Sequence, residues 1–321
     1  MERMVYQKLM EISDDWLKYA IRLNLGHEPK DDLVELRNAA LADVRIQRYL
    51  ADIVNFHETL VTNHKNPDLP IQKLLFLLDL GFDAEIPEIQ TAIDEILQHR
   101  DEHGIYQSMT NVPKHFGGAG IDVFSWCLCD APLLLLALLK AGVDYDEHIK
   151  PGVDHLVSLF RDNGFPCAVS PELGKFRGPG RKDNCCPYAT LIMTDLLSHI
   201  PEYRDSQVAA SSVEALLSLW ENSLDQHPYM FFMGTDFRKL KAPSCWYDIV
   251  SVAGVLSKYE FARKDPRFLE MIGHIKSKQD EDGLFTPESV YLKLKDWDFG
   301  QKKVPSPYLT YLCHLIFERL I

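Results

Sequence analysis

The sequence predicts an all-α protein folded as a toroid of helical hairpins, and two observations carry that expectation. The first is an internal repeat, the most decisive fold signal a sequence can hold. Ile89, Ile93, Ile96 and Leu97 recur as Ile149, Val153, Leu156 and Val157, then as Ala209, Val213, Leu216 and Leu217. They return as Phe268, Ile272 and Ile275, at offsets of 60, 60 and 59 residues. The second is that each of these stripes is preceded by a helix of another character, apolar almost all round.

The i, i+4, i+7 spacing of each stripe marks one face of a half-exposed helix. In the fourth copy the stripe narrows, because Lys276 takes the i+8 position. Gly104, Gly164 and Gly283 each fall fifteen residues after their first stripe position, where glycine serves as a left-handed helix cap. The third copy has Leu224 there and must end its helix differently. The preceding segments, Ala131 to Leu136, Pro187 to Leu197, Cys245 to Leu256 and Pro307 to Leu315, are apolar on all sides, so they are expected to be enclosed. Three of them begin near a proline, which costs nothing at the first helical position. Enclosed helices alternating with half-exposed ones suggest an inner ring shielded by an outer one; an open solenoid would leave one face of its helices to solvent. One domain is expected over 1–321. Its first part, 1–69, reads as two long helices (Met1 to Leu25 and Asp32 to Leu60) that close the ring beside the C-terminal helix. Residues 70–321 carry the repeats.

The 321 residues include 46% hydrophobic and 25% charged positions, an ordinary globular composition. A formal charge of −13 argues against nucleic acid as a partner. The longest clean apolar run, Ala131 to Leu139, falls far short of the ~20 residues of a membrane span. Seven cysteines, an odd number, and a start without a signal-peptide core suggest reduced thiols and a cytoplasmic location.

Gln279-Asp280-Glu281-Asp282-Gly283-Leu284-Phe285, a Q-x-x-x-G-x-aromatic segment at the end of an outer helix, resembles the repeat motif of the terpenoid cyclase and protein prenyltransferase superfamily. Asn163-Gly164-Phe165 looks like a degenerate copy. The resemblance covers 70–321 and implies an (α/α)6 barrel with a central cavity. The chemistry does not follow it: the D-x-D-D acid of squalene-type cyclases is absent. Asp31-Asp32-Leu33-Val34-Glu35 superficially resembles the acidic metal motif of other terpene synthases, but it lies outside the repeats where acids complement a helix start.

The loops before the inner helices run to ~20 or more residues, a length usually kept for function. Four of them hold basic residues at one phase of the repeat: Arg177, Arg181 and Lys182; Arg238, Lys239 and Lys241; Lys302 and Lys303; and Lys114 with His115. In a toroid such loops are expected at one mouth, beside the free N–H groups of the inner helices, and arginine suits phosphate or carboxylate. Ion pairing with the surplus acids is the competing reading, although it does not require Phe176, Phe237, Trp297 or Phe299 in the same loops. Trp246, Tyr247 and Tyr308 are expected to line the well. Asp130 and Asp248 open inner helices, as caps or, if they face the lumen, as acid/base groups. Cys129, Cys186 and Cys245 are candidate metal ligands, as the cysteines of zinc-dependent prenyltransferases and lanthionine cyclases imply. Local spacing lacks C-x-x-C, and packing of small buried thiols is the commoner use. The cofactor stays unknown, with zinc or magnesium as the candidates.

Three functions compete. The first is a cavity that binds, and as a transferase or cyclase acts on, an amphiphilic anion resembling a prenyl diphosphate. The second is a carbohydrate-active enzyme with paired carboxylates among Asp296, Asp298 and Glu288. The third is a non-catalytic module whose loops dock a protein partner.

Overall fold

A computed structural model describes residues 3–176, 184–225 and 235–320. The described chain is mostly helical. In order the helices are α1 (Arg3–Ile12), α2 (Asp15–Asn24), α3 (Val34–Leu41), α4 (Val44–Ile53), α5 (Pro70–Asp79), α6 (Pro87–Leu97), α7 (Ala131–Lys140) and α8 (Lys150–Ser158). There follow α9 (Pro187–Ser198), α10 (Pro201–Arg204), α11 (Gln207–Glu221), α12 (Ile249–Leu256), α13 (Glu260–Arg263), α14 (Pro266–Lys276) and α15 (Pro307–Glu318). A two-stranded antiparallel ribbon, β1 (Ser108–Thr110) with β2 (Val123–Ser125), pairs Ser108 with Ser125 in the loop before α7.

The apolar helices pack in succession, α5 on α7, α7 on α9, α9 on α12 and α12 on α15, and α2 then packs on α15. Contact returns to α5 through Trp16 and Phe76, whose ring centres lie 5.8 Å apart, and through Asn24, which donates to the Asp79 carbonyl at 3.2 Å. The half-exposed helices lie outside this circuit: α6 and α8 on α7, α11 on α9, and α14 on α11 and α12. Only one face of each is buried, Ile89, Ile93 and Ile96 on α6 and Phe268, Ile272 and Ile275 on α14, as the stripes predict.

The repeat extends to individual hydrogen bonds. The Phe165 amide donates to Thr190 Oγ1 at 3.0 Å, and 120 residues later the Phe285 amide donates to Thr310 Oγ1 at 2.9 Å. The Phe165 and Phe285 carbonyls accept from the Cys186 and Ser306 amides at 2.7 and 2.8 Å. Each glycine–aromatic turn is thus pinned to the start of the next inner helix. Gly104, Gly164 and Gly283 all have positive φ, at +83°, +116° and +82°, as their capping role requires. The third copy, without the glycine, runs to Glu221 and stops at Asn222 instead.

Three sequence expectations are corrected. The two N-terminal helices are each broken, at Ser13-Asp14 and at Ala42-Asp43, where the Asp43 carboxylate caps α4 by accepting from the Arg45 amide. Inner helix α12 begins at Ile249 and not at Cys245, because Asp248 caps it by accepting from the Ser251 amide at 2.9 Å. Asp130 precedes α7 but does not cap it: its Oδ1 reaches back to the Cys127 amide at 2.9 Å.

Candidate functional site

Inside the circuit of inner helices lies a chamber of about 120 Å³ lined by Phe76, Leu133, Leu136, Leu191, Ile192 and Leu312 among others. It shares Asp79, Asp195, Ser244, Ser251, Val255, Tyr308 and Leu312 with a wider cavity of about 510 Å³. The two therefore form one lumen, apolar in its depth and charged at its mouth.

The mouth stands at the C-terminal ends of the inner helices. Asp79 and Lys140 are the last residues of α5 and α7, His199 and Arg319 directly follow α9 and α15, and Lys258 lies two residues beyond α12. These five positions are spaced 61, 59, 59 and 61 residues apart, so they occupy one phase of the repeat. Lys140 pairs with Asp79, and Lys258 pairs with Asp195 while its Nζ also donates to His199 Nε2 at 2.9 Å. Arg319 donates to the Gly254 carbonyl and to Ser257 Oγ at 3.2 and 3.0 Å. Cations suit this end, where the carbonyls and negative dipole ends of the helices gather.

Burial and mutual charge set the protonation of the group. Burial disfavours the Asp195 carboxylate, but Lys258, His199 and Lys140 outweigh it and hold its pKa at about 2. Burial, reinforced by the Lys258 ammonium, pushes His199 down to about 4, so near neutrality its imidazole is uncharged and accepts from Lys258. Burial also lowers Lys258 and Arg319. In Lys140 the same penalty is overcome by Asp79 and Asp195, and its pKa rises.

The other end of the lumen is covered by the segment before α12. Ser244, Cys245 and Trp246 line the deep chamber. The Cys245 carbonyl accepts from the Tyr188 hydroxyl at 3.3 Å, and Trp246 packs on Tyr188 with ring centres 4.2 Å apart. Gln72 Nε2 in turn donates to the Tyr188 oxygen at 3.5 Å.

The basic residues expected around that end do not converge. Arg238 lies 4.1 Å over the Trp220 ring, donates to Ser223 Oγ at 3.3 Å, and offers its carbonyl to His274 and Lys278, so it faces the outer helices α11 and α14. Lys239 pairs with Asp236, and Lys302 and Lys303 are exposed. Lys241 alone among these lies near Asp248, over the ring of Tyr291. Arg177, Arg181 and Lys182 lie outside the described residues.

Most of the aromatic residues of those loops are core, while Phe176 is half-buried and Phe116 exposed. Phe237 stacks on Tyr247, with centres 5.1 Å apart, so both are packed side by side. Trp297 and Phe299 join Trp16, Tyr49, Phe76 and Tyr308 in one cluster that fixes α2 and α4 against α5 and α15. Tyr308 and Phe76 also line the lumen.

Asp130 and Asp248 are almost completely buried, and each has an Oδ2 without a hydrogen-bond partner among the described residues. Burial raises both pKa values, against the opposing charge of His64 at Asp130, and to about 6 at Asp248. Cys129 and Cys186 touch through their thiols, whereas Cys245 lies in the covering segment. Among the described residues no group of three or more potential ligands is arranged to hold a metal ion. Of the carboxylates weighed for a carbohydrate enzyme, Asp296 pairs with Arg48, Glu288 with Lys278, and Asp298 accepts from Ser306 and from the Tyr308 amide. The lumen carboxylates are instead Asp79, Asp195 and Glu318, which the sequence reading missed; the repeated polar ending of otherwise apolar helices was the available signal.

No protein-family model and no curated protein matches the sequence. Among solved structures, the chain is similar to a variant of the type II terpene cyclase MstE from Scytonema in complex with geranylgeranyl dihydroxybenzoate. The TM-score is 0.44 with 11% identity, over 95% of this chain and 86% of that one. It is also similar to a possible member of the GH105 family from Salmonella enterica (TM-score 0.42, 14% identity, 95% and 82% covered). A protein from Actinoplanes scores 0.41 at 13% identity, with 96% and 89% covered. These likenesses are too distant to assign a family or any residue's role.

Proposed function

We propose that this protein is an (α/α)6 toroid whose lumen binds an amphiphilic anion, such as a prenyl diphosphate or a long-chain carboxylate. The apolar part lies against Phe76, Leu136, Ile192 and Leu312, and the anionic group lies among Lys140, Lys258 and Arg319. One observation carries this: an apolar chamber opens into a wider cavity whose wall holds three cations at a single phase of the repeat. The apolar part supplies the driving force in proportion to buried area, and the cations select the head group. The polar end of the ligand is thereby moved from the loops before the inner helices to the ends of those helices. Asp130 and Asp248, the acid/base candidates, line neither the chamber nor the wider cavity, so the reading is one of binding and assigns them no chemical step.

Calorimetric titration with a prenyl diphosphate, a long-chain carboxylate and the matching neutral alcohols tests the reading. The anions are expected to bind and the alcohols to bind about tenfold or more weakly, in line with the worth of hydrogen bonds to charged groups. Leu312→Trp, which fills the chamber, should abolish binding. Binding that survives Leu312→Trp, or equal affinity for anion and alcohol, overturns it.

A carbohydrate-active reading is favoured by one observation, that Asp79 and Asp195 both line the lumen. With its carboxyl held at about 2, Asp195 fits only the ionised member of such a pair, which leaves the general acid to Asp79, already paired with Lys140. Binding of an oligosaccharide in place of the anions in the same titration would establish it. A protein-docking module would bind neither.

A further inference from the structure

Seven residues before each of the five positions at the mouth of the lumen stands a second set: Gln72, Leu133, Ile192, Ser251 and Leu312, with the same spacing of 61, 59, 59 and 61 residues. All five line the deep chamber. Seven residues make two turns of helix, so this set forms a girdle about 10 Å deeper along the inner helices than the charged positions. An enclosed chamber calls for leucine and isoleucine at such places. Gln72 and Ser251 depart from that pattern.

Both are enclosed, at 8% and 5% exposure, and the fold makes little use of their polar atoms. Ser251 Oγ has no hydrogen-bond partner among the described residues. It stands near Asp248 and favours the charge there, but not at hydrogen-bonding geometry, for Asp248 Oδ2 is also unpaired. Gln72 donates from Nε2 to the Tyr188 hydroxyl at 3.5 Å, the long limit of such a contact. A buried polar group costs free energy unless it is hydrogen-bonded. A plain hydrocarbon tail lying in this girdle would cover both groups and leave them unpaired, whereas a guest with an oxygen at the same depth would pair them. A hydroxyl and a carboxamide each donate and accept, which suits a hydroxyl or a carbonyl oxygen. No member of the girdle is charged, so nothing there balances a second ionised group.

We propose that Gln72 and Ser251 recognise a neutral hydroxyl or carbonyl oxygen carried on the apolar part of the guest, about 10 Å from its anionic group. The guest is then an oxygenated amphiphile rather than a plain hydrocarbon chain with one polar end. This rests on the lumen reading, because the anionic group must sit at the mouth for the oxygen to reach the girdle.

The full chain is titrated by isothermal calorimetry with decanoate and with its ω-hydroxy derivative, whose two polar ends stand a comparable distance apart when the chain is extended. The native chain is expected to bind the hydroxy acid about tenfold more tightly than decanoate. In Ser251→Ala and in Gln72→Leu, shown by circular dichroism to be folded, that preference should fall by about tenfold. Ser251→Ala should also bind decanoate more tightly than the native chain does, since no unpaired hydroxyl is then covered. Lys258→Met should weaken both acids alike and leave the preference unchanged. A preference that is absent from the native chain, or that survives in both folded girdle variants, overturns the recognition of the oxygen while lumen binding stands. Failure of the native chain to bind either acid overturns both.

Discussion

Lys258 and Asp195 form an ion pair across the lumen wall, joining the end of α12 to the last turn of α9. The pair is enclosed enough that each charge depends on the other. The carboxyl is held at about 2, below its ordinary 3.8, so the unfolded chain takes up this proton first as pH falls. Stability from this group is full above about pH 4 and is lost as pH drops towards 2. Its size is about 2 kcal/mol, trimmed by the 22% exposure of the side chain. Urea unfolding at pH 5 and pH 2.5 should show that loss in the native chain and a smaller one in Asp195→Asn. Equal losses would show that the pair contributes nothing.

His199 adds a second window. Its pKa is depressed from 6.5 to about 4, so the folded protein keeps it neutral while the unfolded chain protonates it. Stability is present above pH 6.5 and is lost on acidification towards 4, by about 3 kcal/mol at most. Between pH 7 and pH 4, His199→Gln should lose about 3 kcal/mol less stability than the native chain does; an identical pH dependence in the two proteins refutes the assignment.

Asp248 behaves in the opposite sense. Burial raises its pKa to about 6, so its contribution is full below about pH 4 and is lost as pH rises through 6. Asparagine caps a helix as well as aspartate does and carries no charge to desolvate. Asp248→Asn is therefore expected to match the native chain at pH 4 and to exceed it at pH 8, by up to about 3 kcal/mol. Chemical denaturation at the two pH values decides this, and a variant weaker at pH 8 would show that the carboxylate is needed for more than capping.

The two threonine clasps give a prediction about the repeat. Thr310→Val keeps the shape of the side chain and removes the acceptor of the Phe285 amide, and Thr190→Val does the same for Phe165. A buried N–H left unpaired costs about 1–3 kcal/mol. Each variant should lose that amount in urea unfolding, and the two losses should add, because the sites are far apart in the fold. A loss below about 0.5 kcal/mol in both would mean that the bonds are replaced by others.

Gly164 is constrained both by its backbone angle and by its neighbours. Its φ is +116°, and an added Cβ would fall 2.8 Å from Thr190 Oγ1 and 3.1 Å from the Cys185 Cβ. Gly164→Ala should cost about 2 kcal/mol or more from backbone strain and crowding together, whereas Gly254→Ala, where nothing lies within 4 Å, should be neutral or stabilising inside a helix. Comparable Tm values for the two variants would refute the strain.

The helices and their two classes were legible because burial imposes a period on the chain, as in Ile89, Ile93 and Ile96 or Leu133 to Leu138. The breaks at Asp14 and Asp43 were not, since Asp43, which caps α4, and Asp14, which pairs with Arg45, differ little from surface acids until their partners are known. The surroundings of the loop cations were hidden for a related reason. Basic residues in long loops attract notice, yet Arg238 was claimed by Trp220 and Lys239 by Asp236, contacts no sequence pattern announces. Lys140, Lys258 and Arg319 looked like ordinary helix endings, and only their common phase, read together with the cavity, places them on one wall.

Trp246 and Tyr188 stack on each other in the wall of the deep chamber, while the paired charges of Lys140 and Asp79, Lys258 and Asp195 stand along the wider cavity. Under the proposed function the ring would then work as a cup rather than a tube, and a guest would depart past the same charges it met on arrival.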